Sequence, residues 1–335
     1  MSTSEAPTRR AGFAVPAHCK LILISCKAEN ADAKPPIICG GAHSHGPIIP
    51  QKPQSANDYD DRTTRAVKSV LVEIGQVLAS FRGKFAVIGG SVPWLLLENA
   101  DNPHVGTLDV DLSLDAEALQ DGQYADLIHE LMGQGYDKTK NTREFQLQRT
   151  VPATDGGSAI EILVDFLMPK HADIEKNRPK LIENFRVQRA DGADLAVHFH
   201  QLVAVSAKTP TGGQNTVEIA VCSIPALLAM KGYAVELRQK RKDAYDIHYC
   251  IRNYPGGAGE LAEDCRKLLE HESARTGYEF INAKFETVES YGPTSVRLFV
   301  EESAVLGDQT PQQWQQDAYG QVNEWLIALG LRKPQ

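Results

Sequence analysis

A pair of aspartates and a Gly-Gly-Ser turn mark where this sequence can do chemistry. Asp109 and Asp111 alternate with Leu108, Val110, Leu112 and Leu114. On a strand, side chains two residues apart leave the same face, roughly 7 Å from one another. Two carboxylates that close repel, and burial would raise both pKa values. A divalent cation removes the conflict, and an all-oxygen donor set suits Mg²⁺. The run Asp109, Asp111, Ser113, Asp115 also echoes the opening of a calcium loop, but Leu114 and Gln120 stand where such a loop needs glycine and glutamate. A third carboxylate is expected from a neighbouring strand, Ile160 to Leu167, where Glu161 and Asp165 share a parity. Asp165 is preferred because its setting is the more apolar, where an aspartate without a partner is costly.

Gly89-Gly90-Ser91 falls between a short apolar run and a helix capped by the serine. Glycines there let backbone amides approach an anion closely, the helix N-terminus adds its dipole, and the hydroxyl can donate to a phosphate oxygen. Further along stand Lys231, Arg238, Lys242, Asp243 and Asp246. On one continuous helix at about 100° per residue, Lys231, Arg238, Lys242 and Asp246 share a stripe. That stripe could clamp a triphosphate.

The elements that must position these groups follow from periodicity. Val67, Val70, Leu71, Ile74, Leu78 and Phe81 predict a helix from about residue 62. Strands are expected at 84–88, 107–114, 143–150 and 159–167, with helices at 92–98 and 116–133. A hairpin is expected from 195–206 and 216–222 around Thr211-Gly212-Gly213-Gln214. From Ser223 the pattern turns helical: one long helix to about Asn253, then 259–271, 294–302 and 311–329. Trp314 and Trp325, eleven residues apart, fall on one face of the last. The expected architecture is α/β, a mixed sheet with flanking helices (residues 61–222) followed by a helical domain (223–335). Residues 1–60, rich in Ala, Pro, Ser, Gly and His, read as an extension without regular structure.

Composition narrows the class. Hydrophobic residues make up 42% and charged ones 23%, as in ordinary globular proteins, and no apolar stretch is long enough to span a bilayer. Six scattered cysteines point to a reduced, cytoplasmic setting. His18, Cys19, Cys26, Cys39, His43 and His45 lack the paired spacing of a zinc site and read as incidental. A net charge of −8 argues against a wholly basic surface for nucleic acid but leaves room for a local groove from 170–189 or 231–242. His198 and His200 read as surface or hairpin residues, Cys250 and Cys265 as small buried hydrophobes.

The order Gly-Gly-Ser, Asp-x-Asp, later strand carboxylate, then Lys…Arg…Lys-Asp-x-x-Asp resembles the AbiEii/AbiGii-type nucleotidyltransferase toxins of the DNA polymerase β superfamily. The resemblance covers about Phe85 to Ile251. It implies a nucleotidyltransferase fold and transfer of a nucleoside monophosphate from an NTP to an acceptor hydroxyl, with tRNA or other RNA favoured. It implies a toxin–antitoxin or phage-defence setting with a cognate antitoxin. Carried over, Gly89, Gly90 and Ser91 hold the phosphates, and Asp109, Asp111 and Asp165 bind two Mg²⁺ ions. Lys231, with Arg238 and Lys242, meets the triphosphate, and Asp243 or Asp246 supports the site. The arginine common before the paired aspartates is absent; Gly106-Thr107-Leu108 stands there. Two rival readings are a small-molecule nucleotidyltransferase of the antibiotic-modifying type, which would need an acidic acceptor pocket, and a catalytically inert nucleotide-binding module.

Overall fold

Asp60 caps the first helix, its carboxylate accepting from the Thr63 amide at 2.6 Å. The helix α1 (Asp61–Val77) turns Val67, Val70, Leu71 and Ile74 onto a fully buried face, as their spacing predicts. The computed structural model describes residues 53–334 apart from 99, 101, 120–122, 154 and 172–184. The cluster from His18 to His45 and most of the basic run 170–189 lie outside the described residues.

Eight strands among the described residues form one mixed sheet. They are β1 (Phe85–Ile88), β2 (Asp109–Leu114), β3 (Tyr136–Asp137), β4 (Gln146–Val151), β5 (Ile160–Pro169), β6 (Gln188–Ala190), β7 (His200–Lys208) and β8 (Gln214–Cys222). Their order is β3-β4-β5-β2-β1-β8-β7, with β6 paired to β5. At its centre β2 runs antiparallel to β1 and parallel to β5. Val110, Leu112 and Leu114 are fully buried on one face of β2, which leaves the aspartates on the other. The short helices α2 (Ser91–Leu96) and α4 (Ala193–His198) and the longer α3 (Gln123–Gly133) interleave with the strands. The chain then runs through α5 (Ile224–Leu237), α6 (Arg241–Arg252), α7 (Gly257–Arg266), α8 (Glu272–Lys284), α9 (Tyr291–Val300) and α10 (Pro311–Leu329). Sheet and helices belong to one compact unit, Gln51–Gln335. No described helix is long and apolar enough to cross a membrane.

The architecture is the expected mixed α/β sheet followed by helices, with local differences. The strand expected from Leu195 begins only at His200. The preceding residues form α4, whose Ala193, Leu195 and Ala196 are buried, and Ser113 Oγ donates to the Ala193 carbonyl at 2.8 Å. The helix expected from 223 to 253 is two helices. Lys231 Nζ lies 2.7 Å from Asp243 Oδ1, whereas twelve residues of unbroken helix would set them about 18 Å apart along the axis. The chain instead extends at Arg238 (φ −141°, ψ 150°) and Lys240 (φ −110°, ψ 109°) and turns back. The helix α8 was not expected, although Ala274, Tyr278 and Ile281 carry a helical spacing and are fully buried.

Candidate active site

Strand register assembles the acidic groups. Asp111 is the direct partner of Asp165 across the parallel β2–β5 pair, while Asp109 pairs with Leu163. On the other side of β2, Ile88 pairs with Asp111, so the chain leaves β1 into the glycine turn beside that aspartate. Gly89 sits at φ +71°, and a Cβ there would overlap Asp111 Oδ2. A Cβ on Gly90 would lie 2.7 Å from Thr107 Oγ1 and 3.1 Å from Lys242 Nζ. The turn is therefore a backbone cradle closed around the carboxylate. Ser91, next in line, is 1% exposed, and its hydroxyl has no partner among the described residues. Gly89→Ala is expected to lower transfer at least about 100-fold: the left-handed backbone resists a side chain, and the methyl displaces Asp111 from a geometry that tolerates little error. Turnover of the variant near the wild-type value would show that this contact does not hold Asp111.

The acids influence one another. Burial, then Asp109 and Asp165, hold the Asp111 carboxyl well above the usual carboxylate range. Burial and the Asp109 charge lift Asp165 to about 7, against the opposing donation from Gln146 Nε2 at 2.8 Å. Thr107 Oγ1 donates to Asp109 Oδ1 at 2.9 Å. Among the described residues no three His, Cys, Asp or Glu side chains are already gathered into a metal cage. The aspartates instead form an open row of hard oxygen donors whose mutual repulsion a divalent cation would relieve, so the donor set fits Mg²⁺. The glycine cradle and the unpartnered Ser91 hydroxyl fit a phosphate beside it.

Glu161, the alternative third carboxylate, is exposed and pairs with Thr150 of β4, short of the β2 register. Glu161→Gln is expected to leave transfer within about twofold of wild type, as surface changes away from special features usually do. A loss approaching that of Asp165→Asn would return Glu161 to the site.

The cations expected to clamp phosphate lie close by but are bound to carboxylates. Lys231 Nζ contacts Asp243 Oδ1 and Asp246 Oδ2, each at 2.7 Å, and Lys242 Nζ bonds Asp246 Oδ1 at 2.9 Å. Arg238 holds Asp243 through two nitrogens at 2.7 and 2.9 Å. Against the cost of burial, Lys231 and then Arg238 hold the Asp243 carboxyl at about 2, while Lys231 and Lys242 hold that of Asp246 well below its ordinary value. Burial pushes the Lys242 ammonium down, and Asp246 opposes it. Arg238 keeps a half-exposed side chain and feels the charges of Asp111 and Asp109. A cleft of about 240 Å³ is lined by Gly89, Asp111, Arg189, Lys231, Tyr233 and Arg238, among others.

Several members of the assembly are not evident from the sequence. Buried His104 contacts Asp246 at 3.0 Å, and the Tyr59 ring lies 5.2 Å from Lys242 Nζ. Gln146 and Thr107 hold the aspartates. Thr107 alone had a readable signal, since it opens the alternation that the sequence carries into Asp109 and Asp111, although β2 itself begins at Asp109. His198 and His200 are exposed and bond the Asp194 and Val197 carbonyls, as surface residues do, and Cys250 and Cys265 are buried.

A solved chain assigned as a nucleotidyltransferase from H. pylori aligns with 82% of this chain and 100% of its own, at TM-score 0.40 and 11% identity. MenT4, a nucleotidyltransferase toxin from Mycobacterium tuberculosis, aligns over 83% of this chain and 96% of its own, at TM-score 0.40 and 14% identity. No curated protein matches the sequence. The model of the nucleotidyl transferase AbiEii toxin family, of type IV toxin–antitoxin systems, matches residues 77–323. That span contains the glycine turn, the three aspartates and the cation cluster, and the chain belongs to this family of nucleotidyltransferases.

Proposed function

We propose that this chain moves a nucleoside monophosphate from an NTP to a hydroxyl of RNA, tRNA being the favoured acceptor, as a toxin restrained by a cognate antitoxin. The observation that carries the reaction is the Asp111–Asp165 pairing with the Gly89 backbone packed against Asp111. Asp109, Asp111 and Asp165 would hold two Mg²⁺ ions. When bound, Mg²⁺ neutralises charge on the triphosphate and polarises the phosphoryl group under attack. Gly89 and Gly90 bring the backbone against the phosphates, and Ser91 Oγ donates to one phosphate oxygen. Asp165 takes the proton of the acceptor hydroxyl as its oxygen bonds to the α-phosphorus. The bond to pyrophosphate breaks, and Arg238 and Lys231 at the cleft stabilise the charge that leaves. Two of the three donors of the Lys231 ammonium serve Asp243 and Asp246, which leaves the third for a phosphate in the cleft that Lys231 lines.

A groove of about 760 Å³ presents Arg65, Lys68 and Lys208, with Arg62 ion-paired to Asp155, and such a basic lining suits the phosphates of an RNA acceptor. One observation favours the small-molecule reading. A cavity of about 700 Å³ shares Asp191 and Tyr233 with the nucleotide cleft and also presents Asp115, Glu117, Asp194 and Glu272. Such a cavity suits a cationic acceptor. The test is transfer of α-phosphorus label from each NTP, with Mg²⁺, onto total RNA and total protein, with Asp111→Ala alongside. Label on RNA, lost in the variant and weakened steeply by salt, supports the proposal. Label on protein moves the target to a protein hydroxyl. No label on either macromolecule, with labelled product formed from cationic small acceptors, favours the acidic cavity.

A further inference from the structure

The connection between α2 and β2 contains no helix or strand among its described residues, yet it holds two deeply buried polar side chains, His104 and Thr107. The Gly106 amide donates to His104 Nδ1 at 3.2 Å, so that nitrogen is an acceptor and the ring proton sits on Nε2. Nε2 then donates to Asp246 Oδ1 at 3.0 Å. With both nitrogens engaged, and the ring packed 5.5 Å from Tyr245 and 4.8 Å from Tyr249, the imidazole has one orientation. Tyr249 in turn donates to the Asn102 carbonyl at 2.9 Å, fastening the same connection to α6. Gly106 takes φ +84° where a Cβ would overlap Thr64 Oγ1. One residue later the Thr107 hydroxyl reaches Asp109 Oδ1. A continuous path of hydrogen bonds and backbone thus joins the ion-paired cluster on α5 and α6 to the first aspartate of β2.

We propose that His104 and Thr107 are positioning residues for Asp109, His104 fixing the turn against Asp246 and Thr107 fixing the carboxylate itself. This rests on the reading of Asp109 as a Mg²⁺ ligand. Outer partners that orient a ligating carboxylate typically change metal affinity or activity by about 10–100-fold when lost. A histidine that merely filled a core would affect folding alone.

The experiment follows the melting temperature of the full chain against Mg²⁺ concentration without nucleotide, for wild type, Asp111→Ala, Thr107→Val, His104→Phe, His104→Gln and the Thr107→Val/His104→Phe double variant. Label transfer is measured afterwards on the same samples. The Mg²⁺ concentration for half the thermal shift is expected to rise about 10–100-fold in Thr107→Val and His104→Phe. His104→Gln should recover part of the loss, because its amide can still donate to Asp246. The double variant should be no worse than the poorer single one, because both act on one carboxylate. Variants that melt lower without metal but keep the wild-type half-saturation would overturn the inference and leave the Mg²⁺ site standing. Should His104→Phe not fold, Thr107→Val decides alone, since valine preserves its shape. A wild-type chain with no Mg²⁺ response, or a response preserved in Asp111→Ala, overturns the metal reading itself and this inference with it.

Discussion

Asp165→Asn is expected to abolish nucleotidyl transfer and, in metal-free buffer near pH 8, to melt at a higher temperature than wild type. The loss of activity should be at least about 1,000-fold, since the proposed mechanism makes Asp165 both a metal ligand and the proton acceptor, and each decade corresponds to about 1.4 kcal/mol. The gain in stability follows from the same carboxyl. Burial and the Asp109 charge lift it in the fold to about 7, above the 3.8 of a free aspartate. A raised acid destabilises the fold wherever it must ionise. That penalty is absent below about pH 4, grows from there to about pH 7 and is complete above it. Asparagine keeps an oxygen for the Gln146 donor and carries no charge, so the variant should gain about 1–3 kcal/mol at pH 8 and nothing at pH 4. With Asp165 as a proposed ligand, Mg²⁺ should reverse the order, because only wild type would bind the ion fully and binding to the native state adds stability by mass action. The check is a pair of melting curves against pH, with and without Mg²⁺. A variant that melts lower than wild type at pH 8 without metal would mean that Asp165 is not strained in the fold.

That strained row was readable because its information is local. Alternation from Leu108 to Leu114 places two aspartates on one face, and the parity of Ile160 to Leu167 reduces the third carboxylate to two candidates. The sheet register then sets Asp165 opposite Asp111 and leaves Glu161 beyond the end of the β2–β5 pairing. The turn at Arg238 to Lys240 was not readable in the same way. Neither proline nor glycine marks it, and an unbroken helix satisfies local propensity. What decides is non-local: the ammonium of Lys231 meets Asp243 and Asp246 only if the chain doubles back. His104 is hidden for a similar reason, since its partner Asp246 lies 142 positions along the chain. The stripe deduced for one helix thus brought the right residues together by a geometry that the fold does not use.

The same doubling back should make Asp246 costly to lose. Its carboxylate is fully buried and bonded to Lys231 at 2.7 Å, Lys242 at 2.9 Å and His104 at 3.0 Å. Asp246→Ala leaves two buried ammonium groups, one of them without the carboxylate that opposed its desolvation. Breaking one side of a buried ion pair typically costs about 3–5 kcal/mol, which for a chain of this size lowers the melting temperature by roughly 5–8 °C. The pH dependence tests the cause. Because the Asp246 carboxyl is depressed in the fold, its stabilisation is complete above about pH 4 and is lost as pH falls toward the depressed value. The gap between wild type and variant should therefore be widest near neutrality and close in acid. It should also narrow in alkali, where Lys242, already pushed down by burial, sheds its proton more readily in the variant. Asp317, which bonds His248 and Arg252 at the α6–α10 contact, provides the comparison. It is about a quarter exposed, so solvent takes up part of the charge left behind, and Asp317→Ala should cost no more than about 2 kcal/mol. Equal losses in the two variants would mean that the cluster beside the glycine turn is no more tightly bound than an ordinary helix contact, and that Lys231 is free to leave Asp246 for a phosphate.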